Sequence, residues 1–238
     1  MSAPAELYAE SALYALLFRE RTADVAFYRA LAAEHGGPIL ELGCGDGRVA
    51  LALARDGHRV VGVDRARAML DALEAQRGAL ALATHEADMR DVRLGERFGL
   101  VIAPFNAFAH LHAHEDRARF FATVEAHLAP GGVFAFDVTI PDPAHRAGST
   151  SFVPRVVHPR TGRVCRLEER TAFDPSTEVR TIETRLVERE SGEVQVLSLA
   201  LREWDPAATA RMLEGFGLVV ERRSADIGDS LAYVCRLR

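Results

Sequence analysis

The sequence predicts an α/β protein with a doubly wound, mostly parallel, seven-stranded sheet and an inserted antiparallel meander. Between residues 36 and 140, apolar runs of strand length alternate with segments of helical period. This alternation is typical of parallel strands joined by helical crossovers. From residue 151 to residue 204, short runs follow one another between turn signals, which indicates antiparallel strands.

The elements follow in order from the apolar patterns. An amphipathic helix is predicted over 7–18, in the run LYAESALYALLF. The core strands are predicted at 39–42, 59–64, 79–84, 98–104 and 132–138, and the helices at 48–56, 66–76 and 115–127. In open sheets of this kind, ligands bind beyond the carboxyl ends of the strands, so residues at those ends are the first candidates for a site.

The second half of the chain has a different texture. Residues 141–151 form a linker rich in Pro, Gly and Ser, and the meander over 151–204 is too short to bury a core of its own. We therefore expect the meander to pack on the main sheet. A helix over 206–214 and strands over 218–223 and 231–238 then complete the sheet.

Composition excludes several classes of function. The formal net charge of the 238 residues is -5, so no overall basic field favours nucleic acid. The sequence contains no lysine, which excludes a phosphate-binding P-loop and Schiff-base chemistry. The three cysteines fit no metal spacing, and reduced thiols in the cytoplasm are expected. The run over 7–18 is too short to span a bilayer.

The segment GGPILELGCGDGR, residues 36–48, is the most informative motif. An apolar strand is followed by Gly43, Gly45 and Gly47 at alternate positions, where a Cβ atom would collide with a ligand. We interpret this turn as the floor of a site for a nucleoside-bearing cofactor. The dinucleotide fingerprint requires a third glycine where Arg48 stands, so the spacing disfavours a nicotinamide site.

The turn ELGCGDGR resembles the first motif of the class I S-adenosylmethionine-dependent methyltransferases. Four consecutive blocks resemble the small-molecule branch of that family, in particular the sugar amine and glycine N-methyltransferases; they read RTADVAFYRALA, GGPILELGCGDGRVALALARDGHRVVGVDRARAML, EADMRDVRLGERFGLVIAPFNAFAHL and HLAPGGVFAFDV. The resemblance implies a Rossmann-like sheet. It divides the chain into a helical lid over 1–35, a cofactor-binding core over 36–140, an acceptor-side insertion over 151–204 and a closing unit over 205–238.

The resemblance also implies a set of cofactor residues. Glu41, Gly43 and Gly45 would face the methionine portion, and Asp64 would accept hydrogen bonds from both ribose hydroxyls, as a carboxylate can. Asp88 would bind the adenine amino group, and the Met89 amide would meet the ring edge. The remaining members of the set are Cys44, Arg65, the carbonyl of Ala103, and Arg21 and Tyr14 of the lid. Asp64 as a helix N-cap, and Asp88 and Asp91 as solvated loop charges, stay open as alternatives.

The catalytic candidates lie near the end of the fourth strand and in the lid. His110 and Asn106 follow that strand, and the resemblance places His110 beside the acceptor pocket. Tyr14 would pack near the sulfur or fill the core, and Arg21 would bind the cofactor carboxylate or pair with Asp24 or Glu20. The HxHxH run from His110 to His114 invites a metal interpretation, but alternate residues do not share a helix face, and no metal is expected.

Together these observations predict a methyltransferase that uses S-adenosylmethionine, releases S-adenosylhomocysteine and acts on nitrogen or oxygen of a small molecule by in-line transfer. Such a reaction needs close alignment and exclusion of water more than a covalent intermediate. A nicotinamide oxidoreductase and a non-catalytic protein that binds S-adenosylmethionine remain as alternatives. We expect no nucleic acid and no membrane as partners, and a homodimer is left open as the assembly.

Overall fold

The computed structural model describes residues 5–238. Its N-terminal part consists of strand β1 (Ala5–Glu6), a 3₁₀ turn (Leu7–Ala9) and helices α1 (Ser11–Phe18) and α2 (Ala23–His35). The single helix predicted over 7–18 therefore begins later than expected, at Ser11, because β1 pairs with a strand of the insertion. Residues 1–4 of the predicted lid lie outside the described residues.

A seven-stranded sheet forms the centre of the molecule. Its strands are β2 (Ile39–Leu42), β3 (Val60–Asp64), β4 (Leu82–Glu86), β5 (Phe98–Ala103), β6 (Leu128–Thr139), β11 (Leu218–Ser224) and β12 (Ser230–Leu237). The connecting helices are α3 (Arg48–Arg55), α4 (Arg67–Arg77), α5 (His114–His127) and α7 (Pro206–Gly215), with a 3₁₀ turn at Ala107–His110. Strand β4 begins three residues later than predicted, because Gly78 ends α4 in a left-handed conformation and Leu80 still belongs to the turn.

The strand order is β11-β12-β6-β5-β2-β3-β4. Strand β2 lies in the middle and pairs in parallel with both β3 and β5, and β12 is antiparallel to its two neighbours. All four residues of β2 are buried, as a continuous apolar run in a central parallel strand requires. The predicted doubly wound, mostly parallel sheet is confirmed.

Two hydrophobic cores cover the two faces of this sheet. On one face, Leu31 of α2, Leu53 of α3 and Leu70 of α4 pack against the strands. On the other face, Phe120 of α5 and Leu213 of α7 pack with the aromatic residues of β6. Helices on both faces leave only the strand ends open, and the carboxyl ends face the candidate site.

The insertion forms a second, antiparallel sheet. After the short helix α6 (Pro143–Arg146), its strands are β7 (Ser149–Val157), β8 (Val164–Asp174), β9 (Val179–Glu188) and β10 (Val194–Arg202), in the order β1-β10-β9-β8-β7. Leu201 and the following Trp204 join the main core, as expected for a meander packed on the sheet. Cys165, Leu186 and Leu197 of the insertion form a further cluster with Leu7 and Leu13 of the N-terminal segment, so the insertion shares this core and does not bury one by itself.

Candidate functional site

A cavity of about 380 Å³ opens beyond the carboxyl ends of β2, β3 and β5. The loops that follow four parallel strands form its floor and sides, and the N-terminal segment and β10 cover it. The lining residues are Glu41, Gly43 to Asp46, Arg48, Val49, Asp64 to Ala66, Ala87 to Arg90, Pro104, Phe105, Ala107, His110 to His112, Ser198 to Ala200, Glu6, Tyr8 and Tyr14. The predicted position of the site is thus where the structure has its main cavity.

The glycine turn forms the floor of this cavity, although its three positions require glycine for different reasons. All three have positive φ, of 77° at Gly43, 54° at Gly45 and 86° at Gly47. A Cβ atom at Gly43 would lie 2.9 Å from the Ala107 Cβ, and one at Gly47 would lie 2.6 Å from Leu73 Cγ. Contacts inside the protein therefore exclude a side chain at both positions. Only Gly45, with nothing nearer than Met69 Cε at 3.7 Å, agrees with the interpretation that a ligand needs the space.

Asp64 ends β3 at the edge of the cavity. Its Oδ2 accepts a hydrogen bond from the Gly45 amide and its Oδ1 one from the Ala66 amide, both at 2.8 Å. Burial raises the pKa of this carboxyl, while the two amides lower it. Helix α4 begins at Arg67, with Ala66 at its N-cap position, so Asp64 is not the N-cap. Each carboxylate oxygen keeps acceptor capacity, which is what binding a vicinal diol requires.

Glu41 is a buried acid that lines the cavity with an incomplete set of partners. Its side chain is only 2% exposed and its Oε2 atom has no hydrogen bond. Burial raises the pKa of Glu41 well above its usual range, and the nearby Arg48 opposes this rise. A buried carboxylate oxygen without a donor is costly, so this atom suits a cationic or hydrogen-bonding group of a ligand.

The predicted adenine-side residues surround a different part of the cavity. Asp88 and Met89 both line it. The Asp88 carboxylate is held by Arg90, whose Nη2 lies 2.5 Å from Oδ2, and this pairing lowers the pKa of Asp88. Ala103 is fully buried and does not line the cavity, whereas the next residue, Pro104, does. Asp91 pairs with Arg119 at the surface, as a loop charge would.

Arg21 lies outside the cavity, and Arg48 lies in its wall. The Arg21 guanidinium donates to Asp229 at 2.5 Å and to Ser230 at 2.7 Å, and pairs with Asp24 at 3.3 Å, so the structure favours the salt-bridge alternative. Arg48 donates to both oxygens of the fully buried Asp24 at 2.6 Å. Of these two arginines, Arg48 is the one that lines the cavity.

Three aromatic residues close the cavity on the side of the N-terminal segment. The Tyr8 hydroxyl and His110 Nε2 are 2.7 Å apart, and the Tyr8 and Tyr14 rings lie 5.7 Å from centroid to centroid. Burial lowers the pKa of His110 to about 4 and raises the pKa values of Tyr8 and Tyr14 above their usual range. His110 is therefore a neutral imidazole at physiological pH.

The other candidates near His110 point elsewhere. The Asn106 side chain donates to the Thr139 hydroxyl and accepts from the Thr139 amide, and Asn106 does not line the cavity. His112 Nε2 lies 3.2 Å from the Ala200 carbonyl, and His114 stacks on Phe216. Within the described residues, 5–238, no group of three or more His, Cys, Asp or Glu side chains is arranged to hold a metal ion.

Two of the predicted cofactor residues are peripheral to the polar contacts. The Cys44 thiol is buried, and a Cβ atom at Gly62 would lie 2.8 Å from its Sγ, so this side chain packs on β3. Arg65 forms an exposed ion pair with Glu6 at 2.9 Å, which ties the N-terminal segment to the loop after β3. Both residues line the cavity.

Sequence reasoning did not assign Tyr8, Arg48 or Arg90 to the site. Tyr8 shares a helix-compatible spacing with Tyr14, but it lies in the 3₁₀ turn before α1. In the sequence, Arg48 stands where the dinucleotide fingerprint has its third glycine, and this position does not indicate where its side chain lies. Arg90 pairs with the neighbouring Asp88 and also with Asp116. No local signal predicts the pair with Asp116, because it joins two segments that are distant in sequence.

The arrangement fits a donor with a sugar, a base and an amino-acid portion. Asp64, with spare acceptor capacity, lies next to the Gly45 amide, and the unbonded Glu41 Oε2 lies at the other end of the turn. A model of the methyltransferase domain family matches residues 39–132, which include β2 to β5 and the loops just described. The part of the chain that forms the floor and most of the sides of the cavity is thus similar to a methyltransferase domain.

Curated relatives of the chain are matched over part of their own length. The chain is 37% identical over 113 residues to the cypemycin N-terminal methyltransferase of a Streptomyces species, covering 48% of this chain and 46% of that protein. It is 30% identical over 155 residues to the dTDP-3-amino-3,4,6-trideoxy-alpha-D-glucopyranose N,N-dimethyltransferase of Streptomyces venezuelae, covering 60% and 64%. The chain thus spans less than two thirds of the length of either relative.

A solved structure shows the same fold over nearly the whole chain. The CcbJ methyltransferase from Streptomyces caelestis superposes with a TM-score of 0.78, covers 98% of both chains and is 22% identical. Both sheets of the present structure therefore belong to a known architecture. Within residues 5–238, no helix combines the length and the apolar character needed to cross a bilayer.

Proposed function

We propose that the chain transfers a methyl group from S-adenosylmethionine to a nitrogen atom of a small molecule and releases S-adenosylhomocysteine. The observation that carries this proposal is the position of Asp64, a half-buried carboxylate held by two backbone amides beside the glycine turn of the cavity. The match to the methyltransferase domain over the same loops supports it.

The residues present fit the donor. Asp64 would bind the ribose hydroxyls, Asp88 and Met89 the adenine, and Glu41, Gly43 and Gly45 the methionine portion. Arg48, rather than Arg21, would face the donor carboxylate, because Arg48 lines the cavity. When bound, S-adenosylmethionine supplies an electrophilic methyl group on a positively charged sulfur.

The state of His110 favours nitrogen over oxygen as the acceptor atom. A hydroxyl must lose its proton to become a strong nucleophile, and that needs a base with a pKa near the working pH. His110, with a pKa lowered to about 4, is a weak base. An amine also attacks only through its free lone pair, but with a pKa of about 10 it loses its proton to water far more readily than a hydroxyl does, so alignment by Tyr8, His110 and the segment Ser198 to Ala200 is sufficient. One of the curated relatives is named as an N-terminal methyltransferase and another as an N,N-dimethyltransferase of an amino sugar nucleotide.

Titration calorimetry and a transfer assay test this proposal. We expect S-adenosylhomocysteine to bind the purified chain, and NAD and NADP not to bind. With S-adenosylmethionine labelled in the methyl group, a panel of small primary amines is expected to be labelled in preference to matched alcohols. Binding of a nicotinamide nucleotide alone would support an oxidoreductase, and binding of the donor without any transfer would support a non-catalytic protein.

We also propose that the chain works in the cytoplasm and forms a homodimer. The three cysteines are free and buried, which suits a reducing compartment. Strand β7 is an edge strand, and its Phe152 side chain is 67% exposed. Sedimentation of wild type and Phe152→Asp tests the dimer, because loss of a dimer in the variant is expected and a monomeric wild type would contradict it.

A further inference from the structure

The two residues after Pro104 adopt an unfavourable backbone conformation at the wall of the cavity. Phe105 has φ 48° and Asn106 has φ 63°, and neither is glycine. A non-glycine residue in the left-handed region costs about 1–3 kcal/mol and persists only where the surroundings hold it. Something must therefore hold this turn.

The end of β6 provides the contacts that hold it. The Asp137 Oδ1 atom accepts a hydrogen bond from the Phe105 amide at 2.8 Å, and the Asp137 carbonyl accepts one from the Asn106 amide at 3.2 Å. The Thr139 hydroxyl and amide bind the Asn106 side chain. The end of strand β6 therefore holds both residues of this turn.

The turn determines where the Phe105 ring lies. The Arg21 Cζ atom lies 4.3 Å and the Arg48 Cζ atom 5.2 Å from the ring centroid, and the Phe18 ring of α1 lies 4.9 Å away. Stacking on an aromatic face fixes the plane of a guanidinium. The Phe105 ring therefore links the wall of the cavity at Arg48 to the helix that covers it.

Asp137 is fully buried and is surrounded by charged and titratable groups of helix α2 and of the turn before it. Tyr28 of α2 donates to Oδ1 at 2.7 Å, Arg21 Nη2 lies 3.9 Å from Oδ2, and the Asp24 carboxylate also acts on Asp137. Oδ2 makes no hydrogen bond. Burial raises the pKa of Asp137 to about 6, against the hydrogen bonds from Tyr28 and Phe105. Such a costly position requires a compensating role.

We infer that Asp137 is a positioning residue that sets donor affinity by holding the Phe105 turn, so that the ring orients Arg48 toward the cavity. The inference rests on the proposed function, because it assigns Asp137 an effect on donor binding. It concerns a residue that does not line the cavity and acts on it through Phe105.

Amide hydrogen exchange on the ligand-free protein tests the first step. In Asp137→Leu, which keeps the size of the side chain and removes both acceptors, exchange of the amide hydrogens of residues 105–107 should accelerate at least about tenfold, as expected for loss of a buried hydrogen bond. Asp137→Asn retains the Oδ1 acceptor and should stay within about threefold of wild type. Tyr28→Phe removes the other bond to Oδ1, leaves the Phe105 amide paired, and is the matched control.

Calorimetry with S-adenosylhomocysteine tests the second step. Asp137→Leu and Phe105→Ala should each weaken binding by about tenfold or more, and the double variant by no more than the stronger single, because both act through one contact. Asp137→Asn and Tyr28→Phe should bind like wild type. Since Phe105→Ala leaves the buried carboxylate in place, it decides the question if Asp137→Leu does not fold.

Two results would overturn the inference. One is wild-type affinity in Phe105→Ala or in a folded Asp137→Leu. The other is an equal loss in Asp137→Leu and Tyr28→Phe, which would indicate general damage to the core. A wild-type chain that binds no S-adenosylhomocysteine would instead refute the proposed function, while the exchange measurement would still report on the turn.

Discussion

At the scale of single residues, the sequence assigns the main polar contact with the cofactor to Asp64, and this contact stays a prediction. The two oxygens of Asp64 already bind the Gly45 and Ala66 amides, which fix the carboxylate in the cavity before any ligand arrives. Pre-organised acceptors lose little entropy on binding. Asp64 should therefore contribute strongly to donor affinity.

Asp64→Ala should weaken binding of S-adenosylhomocysteine by about 1–3 kcal/mol, the usual effect of losing a hydrogen-bond partner to a buried group. Titration calorimetry measures this loss. Asp71→Ala, which removes an exposed acid of α4 paired with Arg67, is the control and should bind like wild type. Unchanged affinity in Asp64→Ala would remove this residue from the site.

His110→Ala should lower the rate of methyl transfer by about ten- to a hundredfold, at or below the lower end of general-base effects, because the neutral imidazole aligns more than it deprotonates. Donor affinity should stay near wild type. Because the pKa of His110 is about 4, the wild-type rate should show no inflection from this residue between pH 6 and 8.

His114→Ala serves as the control for His110, since its ring stacks on Phe216 and it does not line the cavity. A pH–rate profile that contains an inflection near 6.5 in wild type and loses it only in His110→Ala would contradict the alignment role. It would instead identify His110 as a titrating base.

At the scale of elements, the turn between β2 and α3 depends on packing as well as on the ligand. Gly47 is the N-cap residue of α3 and has φ 86°, and a Cβ atom there would lie 2.6 Å from Leu73 Cγ. Helix α4, which carries Leu73, can therefore approach α3 closely only because residue 47 is glycine.

Gly47→Ala should reduce the free energy of unfolding by about 2–5 kcal/mol, since backbone strain and overpacking add. Gly57→Ala is the matched control, because Gly57 has φ 92° and nothing lies within 4 Å of its Cβ position. In Gly57→Ala, the free energy of unfolding should fall only by the cost of the backbone strain, about 1–2 kcal/mol. Equal losses in urea unfolding would show that contact with Leu73 does not matter.

At the scale of the whole molecule, two buried groups give the stability opposite dependences on pH. His110 binds a proton more readily in the unfolded chain, since its folded pKa is lowered from 6.5 to about 4, so stability falls as pH drops through this interval. Asp137 keeps its proton in the folded chain up to a pKa of about 6, against 3.8 normally, so stability falls as pH rises through that interval.

Between pH 4 and 6, His110→Ala should therefore make the free energy of unfolding change more negatively with rising pH than in wild type. Asp137→Asn should shift the same slope in the positive direction. Urea unfolding at several pH values measures both slopes, and differences from wild type cancel the contributions of other groups. A shift of the same sign in both variants would contradict these opposed roles.

The sequence by itself determined the parallel sheet and the positions of the loops at its carboxyl edge. Strand patterns such as 39–42 and the positive φ angles of the glycines in 43–47 act through local rules of burial and backbone conformation, whereas the contacts of Gly43 with Ala107 and of Gly47 with Leu73 depend on distant neighbours. The placement of Asp64, Met89 and His110 at the cavity follows from those rules. For the same reason the limits of most core strands and helices were predicted within a few residues.

Only the tertiary structure decided which charged groups face the cavity. Arg21 and Arg48 both reach Asp24, yet contacts with Asp229 and Ser230 draw Arg21 away and leave Arg48 in the wall. Asn106, predicted as catalytic, is instead bound by Thr139, and Asp137 holds the turn before it. These choices depend on pairings between segments that the chain order separates widely, and no local pattern encodes them.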